Sequence, residues 1–237
     1  MIAAAALLAL ALTQTLASEP ARKEAFQHYR NGQEFLSAEQ WDKAVEEFRQ
    51  ATEKDPLFTD AFYGLGQAHM GAKRFASAAQ AFQATIETAQ KIHQLRERDR
   101  VTADRQIDDQ LRTLREAMRT VQQQKTGQVQ NQTLQLEARV RELEQSKSSM
   151  GRPFEPPAEV LLALGSAHFR NDDRENAEKF WAESVRVNSK LGQGWNNLAV
   201  IYLTSGRKKE AEDAVKNAER TGFRVNPKLK DDIKAMK

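Results

Sequence analysis

Residues able to do acid–base, nucleophilic or metal chemistry are few in this sequence, and their spacing works against them. Cysteine is absent, which removes disulfides, thiolate metal sites, a cysteine nucleophile and a lipid-modified N-terminal cysteine. The four histidines, His28, His69, His93 and His168, include no pair with the spacing of a helical metal site. Three of them fall on inward-facing positions of a repeated helical pattern, where core packing accounts for them. Asp108-Asp109 and Asp172-Asp173 are adjacent acid pairs. Neighbours on a helix point in different directions, so the first pair is a solvated face, and the second lies in a turn. Gly64-Leu65-Gly66 sits inside an amphipathic helix, with no strand before it and no Gly-Lys-Ser/Thr after it, so it is no phosphate loop. No Ser, His and Asp group gathers around an elbow or glycine-rich turn. The expectation is a protein that is not an enzyme, with no catalytic residue, no metal site and no cofactor.

Composition narrows the class further. Basic residues number 36 and acidic ones 33, a net charge of +3, and the two signs are interleaved along the chain. That is not the clustered footprint of a nucleic-acid binder. Glycine and proline are scarce, at 11 and 6 of 237 residues, while Ala, Gln, Glu and Arg are common. The chain is expected to be all-α.

The elements that carry any function come from a repeat. Gly32, Ala44 and Phe48 recur 34 residues on as Gly66, Ala78 and Phe82. The trio returns as Gly165, Ala177 and Trp181, and 34 residues later as Ala199, Ala211 and Val215. Self-similarity at such a period marks stacked helix pairs, each unable to bury its apolar face alone. The small residues at the eighth and twentieth positions let the two helices of a pair cross closely, and the bulky twenty-fourth fills the space beside them. With Phe35, His69, His168 and Tyr202 at the eleventh position and Pro56 closing the first copy, the pattern resembles the tetratricopeptide repeat. The resemblance implies two pairs of helix-turn-helix repeats, an α-solenoid, split by an insertion. It also implies function by holding a protein or peptide partner.

In that family the first helix of each repeat lines a groove through positions 2, 5, 9, 12 and 13. Carried over, the candidate binding residues are Tyr29 and Gln33; Tyr63, Gln67 and Met70; Ser166 and Phe169; Asn196 and Val200. Leu65, Leu161, Trp195 and Leu198 stand at packing positions instead. Tyr29, Tyr63 and Phe169 are expected to have no packing duty within their own repeat and to be free for a partner. The members that grip a C-terminal carboxylate have Lys at position 5 and Asn at position 9 of their first repeat. Here those positions are Tyr29 and Gln33, so that specialised function does not carry over.

Between the repeat pairs lies a polar, helix-prone stretch without proline. Ile107, Leu111, Leu114, Met118 and Val121 form one apolar seam at 4-3-4-3 spacing, as in a coiled coil. Val129, Leu136, Val140 and Leu143 form a second seam out of phase with the first. The slip surrounds Gly127, which fits either an antiparallel hairpin within one chain or a long helix paired with another chain through residues 107–143.

The segment Ile2–Leu12 is an unbroken apolar run followed by Thr15-Leu16-Ala17. It is the length of a signal-peptide core and too short to span a membrane, although no Lys or Arg precedes it. The expected organisation is therefore a signal peptide at 1–17, repeats one and two at 18–90, and a helical coiled-coil insertion at 91–147. A Pro/Ser linker at 148–157, repeats three and four at 158–224 and a capping helix at 225–237 complete it. Cleavage before Ser18 would leave Ser18-Glu19-Pro20 as a start outside the fold, with no membrane span remaining. The location would be periplasmic or secreted, or cytoplasmic if the segment is not a signal. Two functions fit: a bacterial envelope scaffold docking a peptide or protein in its groove, or a structural coiled-coil oligomer carrying the repeats as accessory docking modules.

Overall fold

A computed structural model describes residues 17–122, 129–146 and 153–236. Among these residues ten helices follow in order. They are α1 (Glu19–Ser37), α2 (Trp41–Lys54), α3 (Thr59–Gly71), α4 (Phe75–Gln122) and α5 (Val129–Ser146), then α6 (Ala158–Arg170), α7 (Arg174–Val187), α8 (Gly192–Thr204), α9 (Lys208–Arg220) and α10 (Pro227–Ala235). None is long and apolar enough to cross a membrane. The described residues up to Gln90 and from Glu155 onward make one compact unit, and those between Lys91 and Phe154 make a second. Residues 1–16 of the expected signal peptide, residues 147–152 at the start of the linker and the turn expected around Gly127 lie outside the described residues.

The first unit is the helical-repeat solenoid. Ala44, Phe48, Ala78, Phe82, Ala177, Ala199 and Ala211 are each at most 1% exposed, so the repeating trio is its core. Glycine appears where a ring arrives: a Cβ at Gly32 would lie 2.8 Å from the Phe48 ring and one at Gly64 2.5 Å from it. The same is true of Gly66 against Phe82 and Gly165 against Trp181. Leu161 and Leu198 are buried, Trp195 is partly buried against the core of repeats three and four, and Leu65 is partly buried against the cluster of Ala44, Phe48 and Ala68 between repeats one and two.

Turn chemistry also follows the repeat. The fifteenth position of each copy holds Glu39, Lys73, Asp172 and Gly206, and all four have positive φ, from 56° to 75°. One left-handed residue lets the chain reverse between paired helices. The thirty-first position decides where the second helix stops. Asp55 and Asn188 leave helical geometry there, with φ of −132° and −134°. Each side chain accepts from the backbone N–H two residues on, at 3.0 and 3.1 Å. Gly222 stops the fourth copy at φ 86°. In the second copy the place is taken by Ala89, with no proline after it. Nothing ends the helix, and α4 runs on for 48 residues, about 70 Å at about 1.5 Å per residue.

The two ends are capped differently. Ser18 accepts a hydrogen bond from the Ala21 N–H at 3.3 Å, and Glu19-Pro20 form the first turn of α1. The expectation that these three residues lie outside the fold is therefore corrected. A serine cap, an acid and a proline in the first turn are what a helix start favours. At the other end Asn226 caps α10, and Ile233 is 2% exposed, with Leu229 and Met236 packed beside it. Lys208 Nζ donates to the Lys234 and Met236 carbonyls, which closes the stack with a polar exterior.

In the second unit α5 returns along α4. Arg115 pairs with Glu144 at 2.7 Å, and Arg139 shares a concavity with Asp109, Gln110, Thr113 and Leu114. Leu111 is 4% exposed, and Ile107, Leu114, Met118, Leu136 and Val140 are half-buried. The side chains of Val121, Val129 and Leu143 lie outside the described residues. The two helices thus run antiparallel side by side within one chain, and His93 and Phe154 lie 5.7 Å apart at the other end of the unit. Leu111→Lys is expected to lower the melting temperature by the same amount at every protein concentration. A loss that shrinks as concentration rises would show pairing between chains instead.

Candidate protein-binding face

The solenoid is continuous across the insertion. Tyr29 stands beside Asp60, the second residue of the next repeat. Tyr63 stands in the same relation to Glu159, although the whole insertion separates them in sequence. Repeats two and three thus belong to one compact unit despite the insertion between them. This brings the candidate residues of four repeats onto the first-helix face of one unit.

Their surroundings correct one expectation. Tyr29, Tyr63 and Phe169 do have packing duty in their own repeats. The Tyr29 ring lies 5.8 Å from Phe48, Tyr63 lies 5.5 Å from Phe82 and Phe169 lies 5.3 Å from Trp181. Each is half-buried, with one side of the ring against the twenty-fourth residue. Burial pushes both tyrosine phenols above their ordinary pKa, with Asp60 adding to the effect at Tyr29 and Glu159 at Tyr63. Both stay neutral at physiological pH, able to donate as well as accept.

The polar candidates differ in how far they are already engaged. Gln33, one turn on from Tyr29, acts on its phenol in the opposite sense to burial, lowering the pKa. Ser166 is committed: its hydroxyl donates to the Leu162 carbonyl at 2.8 Å, and Trp181 Nε1 donates to that same carbonyl at 3.1 Å. Gln67, Met70, Asn196 and Val200 are half-buried on the same face. An amide next to an aromatic edge can pair with an extended backbone while the ring takes apolar contact.

One residue of this face escaped the repeat pattern. Phe58, in the connection between repeats, lies 4.9 Å from Tyr29 and 6.5 Å from Phe26. Phe26 is 55% exposed. An aromatic between Pro56 and the start of α3 was the signal, since connections favour turn residues instead.

The histidines hold the scaffold together. His28 pairs with Glu47 at 2.8 Å and His168 with Asp173 at 2.9 Å, while the His168 ring also stacks on Phe180 at 5.3 Å, so acids hold both and packing adds to the second. Asp173 also caps α7 through the Asn176 N–H. At the matching place in repeat two Arg74 replaces the acid and pairs with Asp42 at 2.7 Å. His69 Nδ1 is left buried with no hydrogen-bond partner, and burial together with Arg74 lowers its pKa. Among the described residues no group of three His, Asp or Glu is placed to hold a metal ion.

Comparison with known proteins agrees with this architecture. The tetratricopeptide repeat family model matches residues 29–91 and 162–222, more than half the chain. Over 60 residues, 25% of this chain, the sequence is 35% identical to the photosystem I assembly protein Ycf3 of Rippkaea orientalis (strain PCC 8801 / RF-1). That stretch spans 35% of the relative's length, about a third. The crystal structure of MamA protein is similar at a TM-score of 0.53 and 12% identity, covering 84% of this chain and 74% of that one. A thermophilic repeat protein of Thermus thermophilus aligns over 90% of this chain and 98% of its own at 15% identity, with a TM-score of 0.37. At 12% identity the likeness to MamA is one of fold.

Proposed function

The chain belongs to the tetratricopeptide repeat family, and from that premise we propose a non-enzymatic scaffold of the bacterial envelope that holds a peptide or protein segment along its first-helix face. The observation that carries this reading is the row of half-buried aromatics and amides from Tyr29 to Asn196, repeated on one face of successive repeats. Apolar area with adjacent hydrogen-bonding groups suits an extended chain. The contact with the twenty-fourth residue fixes each ring before a partner arrives, which lowers the ordering cost of binding.

Placement in the envelope draws on the apolar run Ile2–Leu12 and the small residues at Thr15 and Ala17. N-terminal sequencing of the protein from its native host tests it. The expected mature start is Ser18, in the periplasmic or secreted fraction. A cytoplasmic protein still beginning at Met1 would overturn the envelope reading and leave the binding face untouched.

A second reading, an oligomer assembled through residues 107–143, draws on Leu134, which is 55% exposed on α5. The Arg115–Glu144 pair weighs on the other side, because it engages the hairpin with itself.

A further inference from the structure

We infer that repeat two is an acid-sensitive joint of the solenoid: a proton on His69 finds no acceptor where repeat three supplies one, and it loosens α3 first. In every repeat the backbone N–H of the sixteenth residue donates to the carbonyl of the eleventh, at 2.8 or 2.9 Å. That bond fixes the two residues as a pair, and the pairs are Phe35 with Gln40, His69 with Arg74, His168 with Asp173 and Tyr202 with Arg207. Three of the four are matched. Phe35 and Gln40 carry no charge. His168 donates from Nδ1 to the Asp173 carboxylate at 2.9 Å. The Arg207 guanidinium lies 4.3 Å over the Tyr202 ring, a favourable seat while the ring is uncharged. Only repeat two joins a ring that can take a proton to a cation.

The geometry around His69 leaves that proton unsupported. Its Nδ1 is buried with no hydrogen-bond partner. A protonated imidazole carries N–H on both nitrogens, so whichever nitrogen takes the proton, the cation has an Nδ1–H with nothing to accept it. Arg74 offers no acceptor, and its guanidinium is held by Asp42 of α2 at 2.7 Å. The other charged groups on the helices packed with α3 are engaged or distant. On α2, Lys43 lies over the Phe35 ring, Glu46 and Glu53 pair with Arg49, Glu47 with His28 and Lys54 with Glu24. On α1, Arg30 and Glu34 are exposed, as are Glu39 and Lys73 in the turns. Glu159 of α6 acts on Tyr63, nearly two turns before His69, and α4 has no charged residue before Glu87. Burial first and Arg74 second lower the pKa of His69. Such a group costs nothing well above its ordinary pKa of about 6.5, and costs stability increasingly as pH falls below it. A proton on His28 or His168 meets a carboxylate instead.

The test is hydrogen–deuterium exchange of the full chain, read by mass spectrometry, in wild type, His69→Phe and Arg74→Asp. Phe stands at the eleventh position of repeat one and Asp at the sixteenth of repeat three, so each substitution copies a residue the repeat already accepts. Comparing chains at one pH cancels the intrinsic pH dependence of exchange and the other three histidines. From about pH 7.5 to about pH 5.5 the ratio of wild-type to His69→Phe exchange in α3 should rise about three- to ten-fold, ten-fold being the limit when the folded state takes up no proton. The rise should be smaller in α8, which is separated from α3 by repeat three. Arg74→Asp should show no more acid-driven exchange in α3 than His69→Phe. A wild-type ratio that stays level would overturn the inference. So would equal acid sensitivity in wild type and Arg74→Asp, because the missing acid would then not be the cause. Either comparison decides alone if the other variant fails to fold. No partner is present, so neither result bears on the reading of the first-helix face.

Discussion

Phe48→Ala is expected to cost about 3–5 kcal/mol of stability, the range for removing a fully buried ring. Phe48 has no exposed surface, and its ring is clasped between Gly32 of α1 and Gly64 of α3. It therefore fastens repeat one to repeat two as well as the two helices of repeat one. Gly32 and Gly64 themselves offer no side chain to fill the space when the ring is gone, which raises the cost within that range. Solenoid stability is close to a sum of nearest-neighbour terms, so the damage should stay local. Urea unfolding followed by circular dichroism should show an early transition involving the first repeats, ahead of the portion built around Trp181. A single transition displaced by less than about 1 kcal/mol would mean that Phe48 does not hold the interface. Gly64→Leu in the Phe48→Ala background should recover part of the loss, since its side chain points into the vacated space.

Much of this fold was legible because each repeat writes its packing into residue size. A glycine or alanine opposite a large ring at fixed spacing admits few arrangements, and the structure places Gly32, Gly66 and Gly165 against Phe48, Phe82 and Trp181. The end of the second helix was legible at Asp55-Pro56, and its failure to end was legible from Ala89. Ser18-Glu19-Pro20 was a readable helix start that the expectation of a cleaved leader obscured. Other features required the third dimension. Spacing gives the direction of Tyr63 but not the reach of Phe82, whose ring extends far enough to support it from beneath. The hairpin and the long intermolecular coil share the same seams, and only contacts such as Arg115–Glu144 separate them. The joining of repeats two and three in one compact unit spans the insertion, so no local pattern records it.

Tyr63→Ala should weaken capture of the partner by about ten-fold or more, the size of a hot-spot residue at about 1.4 kcal/mol per decade. Because its ring also packs on Phe82, the same change should cost about 1–3 kcal/mol of stability, less than a fully buried aromatic. The two effects come from opposite sides of one ring and must be separated. Leu65, two residues on in α3 and likewise half-buried, supplies the control. Its side chain packs into the core cluster around Phe48, and Leu65→Ala should lower stability by a similar amount without changing the first-helix face.

The measurement that bears most directly on the central claim is partner affinity for these two variants, each corrected for its folded fraction from its own denaturation curve. The expected result is wild-type affinity for folded Leu65→Ala and a loss of about ten-fold or more for folded Tyr63→Ala. Equal affinity in both, with only the folded fraction reduced, would contradict the assignment of the first-helix face as the surface that holds the partner.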